Sequence, residues 1–90
     1  MTYTLDIYED YANDIASGNR PFEIREKDRP FKTGEHIIFN VLPRNIYKDV
    51  SGHELNKKKY EITSVYEGWY VKANTVVLGL REIAKEGGSS

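Results

Sequence analysis

The sequence predicts an α+β domain, a small mixed β-barrel of five or six short strands with one main helix after the first strand. Three observations predict it. Apolar and polar residues alternate in several separate runs, the period of half-buried strands. One run near the N-terminus repeats instead at spacings of three and four, the helical period. Ninety residues suffice for one core but not two, and short strands in so small a chain hide their edges best by curling toward closure.

Tyr3, Leu5 and Ile7 alternate with Thr4 and Asp6 in a first strand. Tyr8, Tyr11, Ala12, Ile15 and Ala16 then share one side of a helix, while Glu9, Asp10, Asn13 and Asp14 point to water; acids in the first turn suit the helix dipole. Gly18 supplies a left-handed stop and Pro21 prevents continuation. Phe22 to Lys27 alternates again, a second strand with Phe22 and Ile24 expected in the core and Glu23 and Arg25 on the opposite surface. After the turn Lys32-Thr33-Gly34-Glu35, the residues Ile37, Phe39 and Val41 mark a third strand, and Ile38 and Leu42 on its other face make it central. Pro43 to Lys58 is polar and rich in turn residues, the composition of a mobile loop. Tyr60, Ile62, Ser64 and Tyr66 form a fourth strand, Trp69 to Lys72 leave room for a short additional one, and Thr75 to Leu80 closes the sheet. The domain is expected over 1–83, with 84–90 a flexible Gly/Ser tail. Tyr3, Tyr8, Tyr11, Tyr60 and Tyr66 read as half-buried packing residues with wet hydroxyls, and Trp69 as a core or rim residue.

Composition excludes several function classes. No window approaches the roughly 20 apolar residues of a membrane helix. Met1 to Asp14 lacks the basic-then-apolar order of a secretory leader, so a cytoplasmic monomer with no membrane association is the expectation. Without cysteine there is neither disulfide nor thiol chemistry. His36 and His53 stand far apart with no zinc-type spacing, no Gly-rich phosphate loop occurs, and no metal or other cofactor is expected. The charge is unevenly placed. Residues 1–14 carry four acids and no base, whereas Ile15 to Arg81 holds twelve Lys or Arg against eight Asp or Glu, a field that attracts phosphate.

The densest chemistry lies in Gly18 to Arg29. Glu23 and Arg25 share one strand face, and a guanidinium fork beside a carboxylate suits a base edge, with Arg20, Lys27 and Arg29 placed for phosphate. The same residues also suit an exposed ladder of surface ion pairs, each contributing roughly 0–1 kcal/mol. Arg44, Tyr47 and Lys48 combine charge with an aromatic face suited to stacking an unpaired base. Lys57 and Lys58, with Lys59, read either as a phosphate-binding edge or as a solvated strand entrance.

Gly18, Arg20, Glu23 and Arg25 resemble the Gly-x-Lys/Arg-x-x-Glu-x-Arg signature of ASCH domains, a branch of the PUA-like barrels. The resemblance continues through Asp28-Arg29, Phe31 and Gly34-Glu35. The ending Val76-Val77-Leu78-Gly79-Leu80 is similar to the closing strand of a small bacterial and phage ASCH-like group known only as a domain of unknown function. It implies a PUA-like barrel whose Gly18–Arg25 segment faces RNA or a modified nucleoside in a cleft. Some ASCH proteins resemble amidohydrolases that deacylate a cytidine amine with a lysine at the position of Arg20. An arginine stays protonated and cannot act as that base, and a threonine stands in those proteins where this chain has Glu23. No catalytic residue is therefore assigned; in an enzyme of this kind Glu23 would be the acid or base. A third reading is an accessory protein of a mobile element that binds another protein through Pro43 to Lys58.

Overall fold

Strand β1 (Thr2–Tyr8) buries Tyr3, Leu5 and Ile7 and leaves the residues between them in water. In the computed structural model, which describes residues 1–83, it leads directly into helix α1 (Glu9–Ala16). The tail expected over 84–90 lies outside the described residues. The helix buries Ala12 and Ile15, carries Glu9 and Asp10 in its first turn, and stops at Gly18, whose φ of 84° is left-handed. Strands β2 (Phe22–Glu26), β3 (His36–Leu42), β4 (Lys59–Tyr66) and β5 (Thr75–Glu82) follow, with a single 3₁₀ turn at Glu54–Lys57 before β4.

The five strands form one sheet in the order β1-β3-β4-β5-β2. Only β1 and β3 run parallel, from Thr2 opposite His36 to Tyr8 opposite Leu42; the other neighbours are antiparallel. The curled sheet is a half-barrel around Leu5, Ile37, Phe39, Ile62, Val76 and Leu78, with α1 and Leu55 covering one end. Closure is incomplete: the ladder ends at β1 and β2, and no backbone bonds join these two edges. No sixth strand forms among the described residues. Gly68, Tyr70 and Asn74 all have positive φ, and that backbone turns where an extended chain would have to run straight.

Strand β2 reverses the expected facing. Glu23 is 4% exposed, whereas Phe22 and Ile24 are 37% and 51% exposed. Register explains it. Glu23 and Arg25 pair with Leu78 and Val76, which face the core, and Phe22 and Ile24 pair with Gly79 and Val77 on the outer face. Period-two alternation shows which residues travel together, but the partner strand decides which set turns inward. A bulge between Ile62 and Ser64 adds a close approach at Gly79, where a β-carbon would fall 2.5 Å from Ser64 Oγ and 2.6 Å from Thr63 Oγ1.

The stretch from Pro43 to Lys58 is anchored, contrary to its polar composition. Val50 and Leu55 enter the core, and Asn56 accepts from the Val41 amide (2.8 Å) while donating to the Val50 carbonyl (3.0 Å). His53 accepts from the Leu55 amide through Nδ1 (3.0 Å), so its Nε2 donates to Asn13 Oδ1 (2.6 Å) and ties the segment to α1. The tyrosines divide. Tyr3 and Tyr60 are buried, but Tyr8, Tyr11 and Tyr66 are exposed, and Trp69 stands in solvent at 83% exposure on the β4–β5 turn rather than in the core or its rim.

Burial pushes the Tyr3 phenol above its ordinary value of 10.0, reinforced by its hydrogen bond to Glu35 (3.0 Å). Burial also raises Tyr60 above 10.0, and the hydrogen bond to Glu82 raises Lys58 above 10.5. Each group keeps its proton more tightly folded than unfolded, so its contribution is complete below about pH 10 and is lost as pH rises through the folded-state values. Urea midpoints should therefore hold from pH 8 to pH 9.5 and fall between roughly pH 10 and 12, and Tyr3→Phe should shallow the fall. An unchanged slope in that variant would remove Tyr3 from the explanation.

Candidate functional site

The unpaired edges of β1 and β2 bound a cleft of about 460 Å³, lined by Asp6, Ile7 and Tyr8 from β1, Tyr11 from α1, and Arg20, Glu23, Ile24 and Arg25 from the β2 side. The helix stop places Arg20. After left-handed Gly18 the chain doubles back, and the Arg20 amide donates to the Asp14 carbonyl (3.1 Å), setting the side chain beside the helix end. Strand parity then aims Glu23 and Arg25 at the same hollow.

Glu23 is the only buried charged side chain among the described residues, and both its oxygens are engaged. Oε1 accepts from Arg20 Nη2 (3.0 Å) and the Ile24 amide (3.3 Å), and Oε2 accepts from Arg25 Nη1 (3.1 Å). The same Arg25 nitrogen donates to the Asp6 carbonyl on β1 (2.8 Å). A guanidinium thus stands where a barrel would place a backbone ladder. One carboxylate between two guanidiniums leaves one positive charge on the β2 side, and the Asp6 carboxylate on the β1 side balances it. Among the described residues only one terminal nitrogen of each arginine is engaged within the protein, so other N–H donors remain free.

The rim is aromatic. The Arg20 guanidinium carbon lies 5.2 Å from the centroids of both Tyr11 and Phe22, and that of Arg44 lies 4.0 Å from Tyr8 and 5.5 Å from Tyr11. Arg44 is held in a bidentate pair with Asp10 (2.9 and 3.2 Å), which lowers the Asp10 pKa and raises that of Arg44.

The structure therefore gathers Arg20, Glu23 and Arg25 in one hollow and brings Arg44 to its rim. The other candidates lie elsewhere. Lys27, paired with Glu67 (2.8 Å), and Arg29, over the Tyr3 ring (5.9 Å), border a separate hollow of about 40 Å³. Lys48 pairs with Glu9 (2.7 Å), Lys58 with Glu54 and Glu82 (3.3 and 3.2 Å), and neither they nor Tyr47 and Lys57 line the cleft. Sequence reasoning missed Asp6, Tyr8 and Tyr11. Their pattern is that of strand and helix packing, and only the distant Arg20, Arg25 and Arg44 give them another setting. Among the described residues no three His, Asp or Glu side chains converge as a metal site, and no helix is long and apolar enough to cross a membrane.

The fold is similar to the crystal structure of hypothetical protein PH0355, with a TM-score of 0.59 and 18% identity over 92% of this chain and 100% of that one. At that identity the likeness concerns the fold alone. No curated protein matches the chain. Residues 2–80 match the family model of the domain of unknown function DUF3850, a span that holds every strand pairing of β1 with β3 and of β2 with β5 and the whole cleft, and the chain belongs to that family.

Proposed function

We propose that this protein is a PUA-like domain of the ASCH type whose seam cleft binds RNA or a modified nucleoside. One observation carries the reading: a buried carboxylate clamps two arginines at an open, aromatic-rimmed cleft while leaving other donors of each unengaged. Guanidinium forks pre-set by a carboxylate recognise phosphate or a base edge with little loss of side-chain freedom, and the Tyr8 and Tyr11 rings suit an unpaired base. Acyl-group hydrolysis is less favoured, because proton abstraction by Glu23 would require an oxygen now held by a guanidinium.

Titration with short single-stranded and hairpin RNAs at two salt concentrations tests the proposal. The amides of Gly18 to Arg29 are expected to shift, and Arg25→Ala to weaken binding about tenfold while reducing the log–log salt slope by roughly 0.7 for a lost phosphate contact to a single strand. Binding that leaves those amides unmoved would discard the cleft as the site.

A further inference from the structure

The outward turn of Phe22 and Ile24 leaves an apolar face on the strand that borders the cleft. Ile24 lines the cleft and also heads a cross-strand row on the outer sheet face, Ile24 beside Val77 and Val77 beside Tyr66. Ile24 and Tyr66 are about half exposed. The Tyr66 hydroxyl donates to the Trp69 carbonyl (3.1 Å), which joins the row to the β4–β5 turn, where Trp69 and Tyr70 both stand in solvent. Tyr70 holds a left-handed φ of 67°, a conformation a bulky side chain seldom adopts. Among the described residues no segment covers Ile24, Tyr66 or Trp69 fully. An ion pair stands at each end, Arg20 with Glu23 beside the cleft, its guanidinium over Phe22, and Lys27 with Glu67 at the turn.

From this juxtaposition we infer that the outer face from Ile24 across Tyr66 to Trp69 is a stacking track for a single-stranded nucleic acid, carrying nucleotides next to the one held in the cleft. The inference rests on the cleft reading and extends it from one nucleotide to a strand. Two features favour a nucleic acid over a protein partner. The face begins at the edge of the cleft, and its most exposed members are aromatic, to which every base offers a π-face.

Trp69 is the chain's single tryptophan, so its fluorescence reports on the track alone. The protein is titrated with a nucleoside monophosphate and with a single-stranded RNA hexamer, following amide shifts for the cleft and Trp69 emission for the track. The monophosphate should shift the cleft amides and leave Trp69 emission unchanged. The hexamer should bind more tightly and quench Trp69. Trp69→Ala and Tyr66→Ala should each weaken hexamer binding about tenfold and leave monophosphate binding unaltered, with circular dichroism verifying the fold. Hexamer binding that shifts the cleft but spares Trp69 emission and both variants would overturn the track and leave the cleft reading standing. Absence of binding by either ligand would overturn both. Self-association by sedimentation that Tyr66→Ala abolishes would assign the face to a second copy of this chain and overturn the track.

Discussion

Glu23→Ala is expected to destabilise the protein by about 2–3 kcal/mol and lower its melting temperature by roughly 10–20 °C. The substitution removes the carboxylate that engages Arg20 and Arg25 and leaves two guanidiniums facing each other at the seam. Breaking a fully buried pair costs about 3–5 kcal/mol; the estimate here is lower because the arginine side chains retain 18% and 27% exposure and recover some hydration. Glu23→Gln keeps acceptor and shape but not charge and should cost about half as much. Glu26→Ala, on the same strand but in solvent, should stay within about 0.5 kcal/mol of the parent. Thermal melts of the three variants at one pH separate these outcomes. A Glu23→Ala melt indistinguishable from that of Glu26→Ala would show that the clamp does not hold the seam.

Leu55→Ala is expected to cost about 3 kcal/mol, within the range of roughly 2–5 for truncating a buried leucine. The side chain is fully buried although its segment is polar, and its removal opens a cavity where the Glu54–Lys57 turn meets β3 and α1. A domain of this size has about 5–13 kcal/mol in total, so the loss is a large fraction. Urea unfolding of Leu55→Ala against Tyr47→Ala, an exposed site in the same segment, measures the contrast; the second should remain within about 0.5 kcal/mol of the parent. Equal midpoints would mean that the segment is not anchored through Leu55. Asn56 and His53 act in the same direction, since their side chains satisfy backbone groups that the turn would otherwise leave unpaired.

Much of the secondary structure was legible in the residues because it depends on local periodicity. Leu5 and Ile7, Phe39 and Val41, and Tyr60 and Ile62 alternate where β1, β3 and β4 run, and Ala12 and Ile15 mark the buried side of α1. Two local patterns were misleading for identifiable reasons. Tyr8 continues the helical spacing, yet it ends β1 with an extended ψ of 150°, since spacing cannot locate the residue at which a strand becomes a helix. The span from Pro43 to Lys58 has the average composition of a free loop, but Val50, Leu55 and Asn56 anchor it, three residues too sparse to leave a period.

By itself the sequence determined which residues travel together: the strand sets, the helical face, the stop at Gly18, and the pairing of Glu23 with Arg25 on one side of a strand. It could not determine which side that was. The tertiary structure decided it through the register of β2 on β5, which turns Glu23 inward and Ile24 outward, and through the gap between β1 and β2, which sets Asp6, Tyr8 and Tyr11 opposite Arg20 and Arg25. The physical reason is range. Alternation and capping depend on neighbours a few residues apart, whereas facing and enclosure depend on hydrogen bonds and contacts between segments distant in the chain.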